Sequence, residues 1–126
     1  MTSHIHMILA ANNNKPENIM RDMKSHTSTQ LRKAIIESNG ESRKKWMIWM
    51  MERAGKKNKH NKGFQFWQQD NHPIQLETNE MMQQKLDYIH NNPVEAGFVD
   101  SPEDYLYSSV RDYAGVKGLI EISFIE

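Results

Sequence analysis

A chain of 126 residues, 37% hydrophobic and 25% charged, has the length of one domain and the composition for a modest core, which excludes a multidomain machine. No run approaches the roughly 20 apolar residues of a membrane helix, and Met1-Thr2-Ser3-His4 carries no secretory pattern. With no cysteine, disulfides, thiolate metal sites and a cysteine nucleophile are excluded, leaving His, Asp, Glu and Asn as ligand types. The zero net charge is unevenly spread: residues 1–62 hold 13 Lys and Arg against 5 Asp and Glu, residues 63–126 hold 3 against 11. A basic half suits an anionic partner such as nucleic acid, while neutralisation of one half by the other is the alternative.

Thr2 to Leu9 alternates, with Ile5, Met7 and Leu9 on one face and His4, His6 and Ile8 on the other, which predicts a half-buried strand. Asn14 with Glu17 three positions on resembles a capping box, and Pro16 is harmless in a first turn, so a helix is expected next. Ile19, Met20, Met23, Leu31, Ala34 and Ile35 sustain it to about Glu37, and Asn39-Gly40 ends it. A second helix is predicted from Ser42 to Ala54, where Met47, Met50, Trp46 and Trp49 give a broad apolar surface. Gly55 to Gly63 reads as a lysine-rich loop. Phe64-Gln65-Phe66-Trp67-Gln68 reads as a strand, and Ile74-Gln75-Leu76 continues extended. Thr78 can cap a helix through Met81, Met82, Leu86 and Ile89 that should stop by Asn92, before Pro93. A short helix from Asp100 or Ser101 to Gly115 and a weak final strand over Leu119 to Ile125 complete the expectation.

Two patterns bear on chemistry. In His4-Ile5-His6 two imidazoles one residue apart share a strand face and can hold one divalent ion, or are two surface histidines. Tyr88 and Asn92 lie four residues apart on one helix face, with Lys85 a turn before, placed to favour a phenolate or meet a phosphate. The alternative is a packing tyrosine and a helix-end asparagine. Arg21, Lys24 and Arg32 on the first helix, with Lys56, Lys57, Lys59 and Lys62 in the loop, are candidate phosphate contacts or a solvated surface. Phe64, Phe66 and Trp67 are candidates for stacking on unpaired bases, or core. His90 lies about 160–200° around the helix from Tyr88 and reads as structural.

His4-Ile5-His6-Met7-Ile8, Phe66-Trp67-Gln68-Gln69, Lys85-Leu86-Asp87-Tyr88-Ile89-His90-Asn91-Asn92-Pro93-Val94-Glu95-Ala96-Gly97-Phe98-Val99 and Pro102-Glu103-Asp104-Tyr105-Leu106-Tyr107-Ser108-Ser109-Val110-Arg111-Asp112-Tyr113 occur in that order. Together they resemble the single-tyrosine HUH transposases, specifically the REP-associated tyrosine transposase branch. The resemblance implies an α+β, ferredoxin-like or RRM-like antiparallel sheet with helices on one face. It further implies Tyr88 as nucleophile, His4, His6 and Asn92 as ligands of Mg²⁺ or Mn²⁺, and Lys85 near the site. The implied partner is single-stranded or hairpin DNA, with no membrane partner, a homodimer as one assembly, and a bacterial, cytoplasmic, nucleoid-associated location. Family members carry several dozen residues before the His-x-His strand, including a first strand and helix, whereas here three residues precede His4. An N-terminally incomplete domain is therefore expected, with an unpaired sheet edge. Two rivals remain: a degenerate remnant that binds nucleic acid without catalysis, and a small oligomeric structural protein.

Overall fold

In the computed structural model, residues 3–13, 15–60 and 63–125 are described; Asn14, the expected cap, and Lys62, a candidate phosphate contact, lie outside them. The elements are α1 (Pro16–Glu37), α2 (Lys44–Lys56), α3 (Asn79–Glu95), a 3₁₀ turn at Pro102–Asp104 and α4 (Val110–Tyr113). The chain divides into two compact units, Leu9–Pro73 and Met1–Ile8 with Ile74–Glu126. Among the described residues there is no β-strand and no sheet, which overturns the expected ferredoxin-like or RRM-like α+β fold.

The reason is local. A strand is stable only as one side of a ladder, because its amides and carbonyls otherwise have only water to bond. Of the strand expected over Thr2 to Leu9, residues 4–9 alternate as a strand would but have no regular structure, for no strand edge is present among the described residues. Phe64–Gln68 alternates too, yet it lies across helices of its own unit. The Gln65 amide donates to the Met51 carbonyl at 2.8 Å, the Trp67 indole N–H donates to the Thr27 hydroxyl at 2.9 Å, and Lys24 Nζ donates to the Gln68 carbonyl at 2.8 Å. Its aromatic spacing serves packing on α1 and α2. The weak strand expected at the C-terminus is also irregular: the Ile125 amide donates to the Tyr113 hydroxyl at 2.9 Å, and the Phe124 ring meets Tyr113 edge-on.

In the first unit α2 buries Met51 and Gly55. Gly55 is required by close approach, since a Cβ there would fall on the Phe64 backbone N, Cα and C atoms. α2 begins and ends two residues later than the expected Ser42–Ala54, so Gly55 and Lys56 of the lysine-rich segment are helical. Arg32 of α1 joins the elements, with its guanidinium 3.3 Å from Glu52 Oε1 and 4.9 Å above the Phe64 ring.

In the second unit Thr78 accepts from the Met81 amide at 3.2 Å and caps α3, as its sequence position predicts. Leu86, His90 and Pro93, spaced i, i+4, i+7, form the buried stripe, with Val110 of α4 also buried. The helix does not stop at Asn92: it runs through the fully buried Pro93 to Glu95. Proline forfeits a backbone bond inside a helix, but here the ring fills the core and the next residues form a strong stop. The Gly97 amide donates to Val94 O and the Phe98 amide to Pro93 O, both at 2.9 Å, with Gly97 at φ +73°. This is a Schellman closure, so the Ala96-Gly97-Phe98 connection is the helix cap itself. The expected single helix to Gly115 is replaced by the 3₁₀ turn and the four-residue α4.

Candidate functional site

Within one unit the irregular segment at residues 4–8 meets α3. The His4 and His6 rings lie edge to face with centroids 4.8 Å apart, and the His6 ring stands edge to face against Tyr88 at 5.5 Å. Leu86, His90 and Pro93 face inward, so Tyr88 lies on the opposite side of α3, with Lys85 and Asn92 half-buried on the flank between. Tyr88 is half exposed, and Lys85 Nζ lies 6.0 Å from its ring centroid. The structure thus brings together two of the expected ligands, the expected nucleophile and the adjacent lysine. They meet without the sheet that was expected to hold the histidines.

The electrostatics suit cation binding. Partial desolvation, then the charge His4 would carry, lower the pKa of His6 from its usual 6.5, which favours the neutral ligand form. Ser3 Oγ lies 3.1 Å from His4 Nδ1, so Nε2 is the ring nitrogen that this contact leaves unengaged. Two imidazoles bound cis to one ion through bonds of about 2.1 Å have centroids roughly 4.5–5 Å apart, and the observed spacing fits. The Asn92 amide nitrogen is buried with no hydrogen-bond partner. Rotating that amide puts its carbonyl oxygen in the same place as an unmet acceptor. No group of three or more His, Cys, Asp or Glu is assembled among the described residues.

The other tyrosines are engaged elsewhere. Tyr105 stacks with Phe98 at 6.5 Å and meets Tyr107 at 6.1 Å, while Tyr113 lies against His90 and Phe124. His90 is buried, with Nε2 3.0 Å from the Ser109 hydroxyl, and desolvation lowers its pKa. Nothing in the sequence marked Ser109 as its partner.

The candidate phosphate contacts divide. Arg21 is engaged by Asp22 at 2.8 Å and by Asn18 Oδ1 at 3.1 Å, and Lys24 is tied to Gln68. Lys56 and Lys57 are exposed beside Trp49, Glu52 and Arg53 around a shallow depression, and Lys59 is exposed in the following loop. Phe64, Phe66 and Trp67 are half-buried against helices. Trp46 and Trp49, which sequence reasoning placed on a broad apolar surface of this helix, point outward and are more than half exposed. A helical wheel carries the signal, because both lie opposite Met47, Met51 and Gly55.

No family model, curated protein or solved structure matches the chain. Any functional reading therefore stands on the residues and their geometry. No helix among the described residues is long and apolar enough to cross a membrane.

Proposed function

We propose that the chain is a DNA strand-cleaving and strand-joining domain of the single-tyrosine HUH transposase kind, acting on single-stranded or hairpin DNA through Tyr88. The observation that carries this reading is the contact of His6 with Tyr88 at 5.5 Å, with His4 beside it, between segments remote in sequence. The order of the sequence motifs supports it.

Tyr88 attacks a backbone phosphorus through its phenolic oxygen. The P–O3′ bond breaks, a 5′-phosphotyrosine forms, and the phenolic proton passes by solvent to the departing 3′ oxygen. His4, His6 and the Asn92 carboxamide would hold Mg²⁺ or Mn²⁺, which supplies charge neutralisation at the scissile phosphate. Lys85 adds a positive charge on the Tyr88 face. Attack by another 3′-OH on the phosphotyrosine reverses the bond changes and joins strands without an external energy source.

One observation favours a second reading, a binding-only remnant: residues 4–11 have no regular structure, so the histidines sit on a segment that fixes geometry loosely. Incubation with labelled hairpin DNA and Mn²⁺, with EDTA as control, tests both. A metal-dependent covalent adduct, lost in Tyr88→Phe, is the expected result. No adduct with DNA still bound means the remnant; an adduct in Tyr88→Phe means another nucleophile.

A further inference from the structure

α2 buries Met51 and Gly55, and around the helix the opposite side carries Trp46, Trp49, Met50, Arg53, Lys56 and Lys57. Trp46 and Trp49 are 57% and 52% exposed. An outward tryptophan pair is costly to leave half in water, which marks an interaction surface. The face is also one-signed. Arg53, Lys56 and Lys57 are basic, and the adjacent acid, Glu52, is engaged by Arg32 at 3.3 Å.

We propose that this face of α2 is a single-strand nucleic-acid platform, with bases stacking on Trp46 and Trp49 and phosphates held by Arg53, Lys56 and Lys57. The two tryptophans are one turn apart, about 4.5 Å along the axis, of the order of the 3.4 Å rise of stacked bases. The Arg53 guanidinium lies 5.1 Å from the Trp49 ring centroid, so a cation already stands over the half-exposed indole on which a base would stack. Charge selects this occupant over others. A second copy would set Arg53, Lys56 and Lys57 against their own equivalents across a two-fold axis. A membrane surface would need an unbroken apolar face, and Arg53 sits in its middle. Trp67 is not part of the platform, because its indole N–H is committed to Thr27. The platform shares the nucleic-acid partner of the proposed function but none of the Tyr88 site.

The test uses the full chain carrying Trp67→Phe, so that fluorescence arises from Trp46 and Trp49, in EDTA buffer. It is titrated with a twelve-nucleotide thymidine strand, its duplex, and anionic vesicles. Saturable quenching by the single strand, at least ten-fold tighter than by duplex, is expected. Trp49→Ala should weaken it about ten-fold, Trp49→Phe should retain most of it, and the Lys56→Gln, Lys57→Gln pair should lower the salt slope by about one to two. Absence of quenching, equal quenching by duplex, quenching by vesicles alone, or a dimer that shields both tryptophans from acrylamide overturns the proposal. A missing covalent adduct with intact quenching defeats the Tyr88 reading alone, and an adduct without quenching defeats the platform alone.

Discussion

Gly55→Ala separates the helical packing of the first unit from a sheet. Gly55 is in the last turn of α2, where alanine would ordinarily add about 1 kcal/mol of helix stability. Here the new methyl would overlap Phe64 backbone atoms, which cannot swing aside as a side chain can. Overpacking costs about 1–3 kcal/mol. Displacing the segment also sacrifices the 2.8 Å bond from the Gln65 amide to the Met51 carbonyl, worth about 0.5–1.5 kcal/mol. The sum is a net loss of about 0.5–3.5 kcal/mol. Gly40→Ala is the matched control: nothing lies within 4 Å of its added methyl, so the change is neutral or up to about 1 kcal/mol stabilising. Urea titration followed by far-ultraviolet circular dichroism reads the midpoints, and fluorescence in a Trp46→Phe, Trp49→Phe background, where Trp67 alone emits, reports the segment itself. If Gly55→Ala matched or exceeded Gly40→Ala in stability, Phe64 could not lie across α2 and the packing described above would be wrong.

Tyr88→Phe should leave the unfolding midpoint within about 0.5 kcal/mol of wild type, because the side chain is half exposed; calorimetry checks that any lost adduct is not lost folding. Thr78→Ala removes the oxygen that accepts from the Met81 amide and should cost about 1 kcal/mol, read as a lower urea midpoint, with Thr78→Ser restoring most of it. His90 has a pKa below its usual 6.5, first through desolvation, opposed by the Asp87 and Glu103 carboxylates, and its ring also faces Ser109 and Tyr113. Above about pH 6.5 it is neutral in both states and the fold keeps this contribution; as pH falls through the unfolded and then the folded value, the unfolded chain takes the proton first. The thermal midpoint should therefore fall between pH 7 and 5, and His90→Gln should flatten that slope.

Helices were legible where a period of 3.6 coincided with a terminal signal. Pro16 and Asn39-Gly40 bracket α1, and Thr78 starts α3 where its hydroxyl can accept from Met81. The end of α3 was misread because Pro93 is a strong breaker by itself, while the Schellman closure on Gly97 depends on the three residues after it. Strands were misread for a different reason. Alternation at Ile5, Met7 and Leu9, or at Phe64 and Phe66, states that two faces differ, but a partner edge is a non-local property. The meeting of His6 with Tyr88 has the same non-local character. Neither spacing nor periodicity could place residue 6 beside residue 88, and only the order of motifs pointed there.

The charge division acquires physical meaning once the units are known. Leu9–Pro73 carries 13 Lys and Arg against 6 Asp and Glu, whereas the unit holding Tyr88 carries 3 against 10. A polyanion is attracted to the first and repelled by the second. On the proposed reading a phosphate approaches Tyr88 only if positive charge is supplied there, and among the described residues Lys85 is the basic side chain placed over its ring. Removing divalent metal should therefore abolish adduct formation while leaving single-strand affinity nearly unchanged, with affinity instead falling as salt rises. Filter binding in EDTA across a salt series, beside the adduct assay, separates the two dependences. If EDTA weakened binding as strongly as it weakened the adduct, affinity would reside at the metal, and the division of binding and chemistry between the basic and acidic units would fail.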